Sequence, residues 1–396
     1  MDRSKLYRYS MFALLYFAQG AVLSYFTALN AIYLQSFGIS MTKIGIISGL
    51  ALTPFVLKIF LGMISDRVNF FQLGYRKPYI IIGLVFQAVC LTIVPLIHPG
   101  NHFGLYGLLA FLTMTGMALY DTCTDGLALD STPKEEEGTI QGFMVGGRAM
   151  GVVVLSSLIG WLAQTYGWQW AFWLLAILTL LPLLLVFGYH ESDRKPEQKF
   201  DWQAFGAFRH WPIIALGLLG ALYSLVINGA NEIVNPFLQS TFGISVMQAG
   251  FYTTVWGLGV VGGSIFGGRL TDRIGQRRAV VSALLVSMLS IGALAITTSA
   301  GLAWVLVALF GIAFGYYETI YFAISMEKTD PRIAASMFAL LMAVANVGTG
   351  IGLPISGALS DSIGYRWTFI VIAVLNLLAI PLLSSIFGNH NKPVKS

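Results

Sequence analysis

The stretch GRLTDRIGQRR, residues 268–278, sets glycines, an aspartate and four arginines between two apolar runs. A shorter copy, GMISDR at 62–67, ends another apolar run about 200 residues earlier. Two further pairs keep the same order and nearly the same offset. LQSFGIS (34–40) returns as LQSTFGIS (238–245), and GWLAQTYGWQWAF (160–172) returns as GALSDSIGYRWTF (357–369). Three echoes in one order mean that the chain is one plan written twice.

Composition says what is repeated. The chain has 396 residues, of which 56% are hydrophobic and 10% charged, against roughly 25% charged in a soluble domain. About twelve apolar runs, from 9–35 to 367–387, are each long enough to cross a hydrocarbon layer of ~30 Å. The expectation is an all-α membrane protein with twelve transmembrane helices in two six-helix repeats around a central cavity. The repeats fall at 1–189 and 211–396, joined by the polar connection HESDRKPEQKFDWQAFGAFRH (190–210). The first run is too long for a signal-peptide core and no small-residue cleavage site follows it, so it reads as helix 1.

Charge placement gives the orientation. With twelve crossings, both termini and the even-numbered connections share one side. That side collects Arg3, Lys5, Arg8, Arg76, Lys77, Arg273, Arg277, Arg278 and most other cations, while the opposite side keeps Lys43 and Arg366. By the positive-inside rule the termini are cytoplasmic, and the expected location is a bacterial inner membrane. The net charge of +5 is thereby explained by topology, with no nucleic-acid partner required. Cys90 and Cys123 sit in different runs and form neither a disulfide framework nor a metal-ligand spacing. There is no phosphate-cradling G-K-[ST] loop and no nucleophile–base constellation. No catalytic residue, metal or cofactor is expected, and the protein is not read as an enzyme.

The motif residues carry a resemblance. Gly268, Asp272, Arg273, Gly275, Arg277 and Arg278 fit the loop pattern G-x-x-x-D-R-x-G-x-R-R of the major facilitator superfamily, with Gly62, Asp66, Arg67 and Arg76 as the first-half counterpart. An acid at a helix C-terminus is disfavoured unless a cation pairs with it, so such a pair can hold two helices in one state and release them in another. The stretches PFVLKIFLGMISDRVNFFQLGYRKPYI (54–80) and DTCTDGLALDSTPKEEEGTIQGFMVGGRAMG (121–151) further resemble the muropeptide permease and acetyl-coenzyme A transporter branch, to which some single-subunit siderophore permeases are similar. That closer match covers helices 1 to 5. The second half fits the wider superfamily, whose plan is two parallel six-helix halves around a cavity opened alternately to each side. Helix 5 has glycines but lacks the glycine-proline motif usual in drug/proton antiporters of the superfamily.

Ionisable side chains inside the apolar runs are the candidate site. Lys58 and Asp125 each lie eight residues from their helix end, ~12 Å deep, and Arg148 lies ~13 Å deep. Asp121 is one turn beyond Asp125 on the same helical face. Charges at such depth face a cavity and pair with one another. The expectation is that Lys58 and Arg148 balance Asp121 and Asp125, one member staying free for substrate or a proton, with Asp130 structural. In the second half, Asn228, Asn231, Glu232 and Asn235 form a polar stripe on helix 7. Tyr316, Tyr317, Glu318 and Tyr321 lie on helix 10 and Asn346 on helix 11. Asp121, Asp125 and Glu318 are candidates for proton coupling. Lys58, Arg148, Asn228, Asn231, Glu232, Tyr316, Tyr317, Tyr321 and Asn346 are candidates for substrate binding.

The reading is a monomeric secondary transporter that takes up an anionic or zwitterionic small solute, a sugar-peptide, siderophore or similar conjugate, with protons and by alternating access. Two rivals are an exporter of amphipathic compounds, with a tolerant aromatic cavity, and a non-transporting membrane assembly factor, with a charge network closed on itself.

Overall fold

The computed structural model describes residues 3–67, 69–70, 74–133, 136–191, 203–328 and 334–387. It contains twelve helices long and apolar enough to span a membrane. In the first half these are α1 (Lys5–Gln35), α2 (Met41–Ser65), α3 (Lys77–Leu96), α4 (Phe103–Ser131), α5 (Thr139–Tyr166) and α6 (Trp168–Val186). The second half has α7 (Trp211–Phe242), α8 (Val246–Ile274), α9 (Gln276–Ala295), α10 (Ala300–Glu327), α11 (Met337–Ile363) and α12 (Tyr365–Phe387). Every backbone polar group in hydrocarbon must be paired within its own segment, which is why these runs are helical. An even number of crossings leaves the start of α1 and the end of α12 at one side, here the termini side; the other is the far side.

The sequence repeat is also a backbone repeat. The α5–α6 and α11–α12 turns pivot on Gly167 and Gly364, with φ of 99° and 79°, a region where a Cβ is disfavoured. Within each half, small residues let backbones touch, as expected where packing rather than water drives helix association. Along α1 and α5, a side chain at Gly20 would collide with the carbonyl of Arg148, and one at Gly147 or Gly151 with the carbonyls of Ala13 or Phe17. The equivalent pair, α7 and α11, meets in the same way, Gly348 against the carbonyl of Ala221 and Gly352 against that of Leu225. A side chain at Gly142 or Gly146 of α5, by contrast, would meet nothing within 4 Å, so that end of the helix faces open space.

Two of the interrupted helices lie beside the candidate site. Residues 27–29 of α1 form a turn before the chain resumes as Asn30–Gln35. In α2 the helix runs Met41–Ala51, Thr53–Val56 and Lys58–Arg67, because Pro54 has no N–H to donate and its ring crowds the preceding turn.

The halves meet on the far side. α5 lies against α8 from Gly160, packed on Val246 and Gly250, to Val153, packed on Gly257. α2 lies against α11 through Gly45 on Leu353 and Gly357 on Met41, and continues to Ile59 beside Met337 and Leu340. Nearer the termini side than Val152 and Val153, a side chain at Gly142 or Gly146 of α5 or at Gly262 of α8 would meet nothing within 4 Å, so that flank is open toward the termini side. Polar contacts complete the far-side seal. Asp361 of α11 accepts from the N–H groups of Met41 and Thr42, at 3.1 and 2.7 Å, and from the Thr42 hydroxyl at 2.6 Å. It thus caps the N-terminus of α2 from the opposite half.

An N-cap carboxylate is worth about 1 kcal/mol, a roughly fivefold bias in a two-state equilibrium. Asp361→Ala is therefore expected to raise the labelling rate of a cysteine at Leu52, approached from the far side with a membrane-impermeant maleimide, by about that factor. An unchanged rate would show that the cap does not help keep the far side shut.

Candidate functional site

Lys58 begins the last segment of α2, and the break before it directs its side chain toward α4. Its Nζ lies 3.5 Å from Asp121 Oδ2 and 4.0 Å from Asp125 Oδ2. One ammonium therefore serves two carboxylates. α1 supplies the remaining donors: Gln19 Nε2 donates to Asp121 at 2.8 Å, and the Tyr16 hydroxyl donates to Asp125. The two acids differ in access. Asp121 is buried, whereas 39% of the Asp125 side chain is accessible. Cation, acids and their hydrogen-bond donors thus form a three-helix cluster with one carboxylate open to a visitor.

Arg148 does not join it. The carbonyl of Arg148 is packed at the α1–α5 seam, and its half-buried guanidinium makes no ion pair or hydrogen bond among the described residues. Depth along α5 puts it in the slab of Lys58 and Asp125 but does not fix the direction of its side chain around the axis. It lies nearer the termini side than Val152 and Val153, the α5 residues that meet Gly257 of α8. Glu318 is half-buried and also lacks an ion-pair partner among the described residues.

Helix α10 divides its tyrosines between faces. Tyr317 and Tyr321, one turn apart, pack on Tyr223 with ring centroids 5.2 and 5.0 Å away. Tyr321 donates to the Leu341 carbonyl at 3.3 Å, and the buried Tyr317 hydroxyl has no hydrogen-bond partner among the described residues. Both rings are wholly buried, so neither can touch a solute in this conformation. Tyr316 is turned about 100° away. Its hydroxyl meets Ser282 Oγ of α9 at 2.6 Å, so it leaves the set of cleft residues. Asn346 is half-buried and makes no hydrogen bond among the described residues.

The polar stripe of α7 grips the break in α1. Asn231 Nδ2 donates to the Thr27 carbonyl at 3.2 Å, and Asn235 Nδ2 to the Ala28 carbonyl at 2.9 Å. Asn228 Nδ2 donates to the Ser224 carbonyl at 3.0 Å and to Thr349 Oγ1 at 3.2 Å. Glu232 is buried and accepts from Ser48 Oγ of α2 at 2.8 Å. Ser48 in turn accepts from Asn30, whose Oδ1 accepts from Tyr106 at 2.6 Å.

The loop motifs are only half engaged. Arg76 is buried, with its Nε 3.3 Å from Asp130 and its Nη1 donating to Ser65 at 2.7 Å. Gly126 makes room for the guanidinium, and Gly62 abuts Thr122 of α4. Asp130 is thus tied to Arg76 at the start of α3. Glu191, in the sequence just one member of a polar linker, takes the N–H groups of Tyr75, Arg76 and Lys77 at the start of α3 on its carboxylate. In the second half Gly268 lies near Thr319, and Gly275 turns α8 into α9 at φ 79°. Asp272, Arg273, Arg277 and Arg278 are all exposed, and none forms an ion pair among the described residues. The expected clasp is open on this side. The side chains of Asp66 and Arg67 lie outside the described residues.

Known proteins share both the sequence pattern and the architecture. The family model described as "Major Facilitator Superfamily" matches residues 12–231 and 216–396. The chain belongs to the major facilitator superfamily. This facilitator is 26% identical over 392 residues to the anhydromuropeptide permease of Escherichia coli (strain K12), across 93% of this chain and 77% of the permease. It is also 26% identical over 265 residues to the sialic acid transporter NanX of the same strain, a match spanning 64% of this chain and 62% of NanX. Among solved structures, a bacterial homologue of the human lysosomal transporter Spinster superposes with a TM-score of 0.79 at 18% identity, covering 97% of both chains. The nucleoside transporter NupG gives 0.80 at 14% identity, covering 98% of this chain and all of NupG. As a facilitator the protein is a multi-pass integral membrane transporter, not an enzyme, and a small molecule is its substrate.

Proposed function

We propose that this facilitator takes up an anionic or zwitterionic small solute together with protons, its two bundles (1–189 and 211–396) rocking about the solute. The observation that carries the reading is Arg148, unpaired among the described residues, with its backbone against Gly20 of α1, the residue next to the Gln19 that binds Asp121. A guanidinium at membrane depth without a protein partner is costly unless an anion visits it, and Arg is the side chain best shaped for a carboxylate or phosphate. Asp125, accessible and sharing its ammonium with Asp121, is the proton carrier in this scheme, with Asp121 and Glu318 as its relays. Tyr16 and Gln19 hold the two acids in place. The far-side seal and the open α5–α8 flank then correspond to the state that faces the cytoplasm, given cytoplasmic termini in a bacterial inner membrane. The protein works as a monomer, with 190–210 as the cytoplasmic link. Relatives named for an anhydromuropeptide and for sialic acid support a sugar-derived solute.

Uptake by proteoliposomes across a panel of muropeptides, sialic acid and siderophores, with and without an imposed pH gradient, tests this. Gradient-dependent accumulation of an acid-bearing member is expected; accumulation that ignores the gradient ends the proton-coupled reading. In the same assay Arg148→Gln should raise KM by about 10- to 100-fold with little change in kcat, the loss of one charge-assisted contact. An unchanged KM would remove Arg148 from solute recognition.

A further inference from the structure

A cavity of about 50 Å³ lies between the halves, with Asn228 and Thr349 about halfway along α7 and α11. Glu232, Asn228, Asn231 and Thr349 contribute its polar wall, and Phe26 and Met114 are among its apolar lining. It is distinct from the Arg148 region. Gln19 binds Asp121 while Thr27 holds Asn231, and the eight residues between them on α1 span ~12 Å.

The hydrogen-bond inventory of this cavity is one-sided. Asn228 and Asn231 each commit their amide nitrogen to a backbone carbonyl, Ser224 and Thr27 respectively. A carbonyl can only accept, so the orientation of both amides is fixed and their oxygens are left as acceptors. Neither oxygen receives a donor among the described residues. Glu232 is only 6% exposed, yet among the described residues only Ser48 donates to it, through Oε1. No lysine or arginine among the described residues lines the cavity. The buried carboxylate and the two free amide oxygens outnumber the donors left over, the second amide hydrogen of Asn231 and the Thr349 hydroxyl, and are complementary to a positive charge bearing several N–H groups. The apolar wall suits methylenes behind that charge.

We propose that the Glu232 cavity is a binding site for a primary ammonium group carried by the transported solute. The inference rests on the uptake reading above and sharpens it: the solute is zwitterionic, its anionic end at Arg148 and its ammonium farther along the path. Because Ser48 bridges the two halves at this point through Glu232 Oε1, an arriving ammonium competes for an oxygen that joins the bundles.

The test is equilibrium titration calorimetry on the purified full-length protein, with n-butylammonium chloride as the probe. Sodium chloride and neutral N-butylacetamide are run in parallel. Saturable butylammonium binding is expected, with none for the acetamide, and Glu232→Gln should weaken it by about tenfold or more, as loss of a charge-assisted contact does. Asn228→Leu, which removes one acceptor and leaves the carboxylate, should weaken it several-fold and gives the same readout if the glutamine variant fails to fold. Absence of saturable butylammonium binding, or equal binding in both variants, overturns the proposal. Sodium binding that depends on Glu232 while butylammonium gives none reassigns the cavity to an alkali ion and overturns it too. Asp125→Asn protein should still bind butylammonium, so the uptake reading and this site can fail separately.

Discussion

Asp125→Asn protein is expected to lose all accumulation driven by a pH gradient while still exchanging solute across the membrane. One proton moving down one pH unit supplies about 1.4 kcal/mol, a tenfold accumulation, and uncoupling returns that ratio to unity. The asparagine keeps the size of the side chain and an oxygen for the Tyr16 hydroxyl, so the cluster should stay assembled. What it removes is the one carboxylate that is both accessible and linked to Lys58. Asp121→Asn is a different experiment, because that acid is buried and held by Gln19 and Lys58, and its loss leaves a buried ammonium undercompensated. Counterflow and gradient-driven uptake measured on the same proteoliposomes separate the two activities. Accumulation at the wild-type level by Asp125→Asn would sink the assignment.

The second large effect is on stability. Arg76→Met should destabilise the protein by about 3–5 kcal/mol, because it strands the Asp130 carboxylate that the guanidinium contacts at 3.3 Å. It also leaves Ser65 without its donor and empties the space that Gly126 clears. Pairing Arg76→Met with Asp130→Asn should recover a large part of the loss, since the stranded charge is then gone. Thermal denaturation of the two single variants and the double variant reads the coupling directly. Additive losses would mean that the contact between Arg76 and Asp130 is incidental to the fold.

Much of the architecture is legible in the sequence because lipid imposes few options: long apolar runs must be helices, and a repeated set of turns implies repeated bundles. The gathering of Lys58, Asp121 and Asp125 is legible for the same reason, since depth along a helix is countable. What counting cannot give is direction around the axis, and that is where the expectations fail. Arg148 has the right depth yet forms no ion pair with the cluster among the described residues, and Tyr316 is one residue away from the face of Tyr317. Tyr16 and Gln19 escape notice because a lone hydroxyl or amide in an apolar run has no distinguishing spacing. Glu191 does so because its partners, three consecutive N–H groups at the start of α3, have no side-chain signature at all. Asp361, likewise, answers to backbone donors in the opposite half.

The turn in α1 has a consequence for how this protein can vary. Asn231 and Asn235 hold carbonyl oxygens of Thr27 and Ala28, atoms that every amino acid possesses. The receiving segment of that handshake is not tied to a side-chain type by these bonds, while the giving helix must keep its two carboxamides. Mutational tolerance should be lopsided across this junction, strict at 231 and 235 and limited at 28 by the space around a buried alanine.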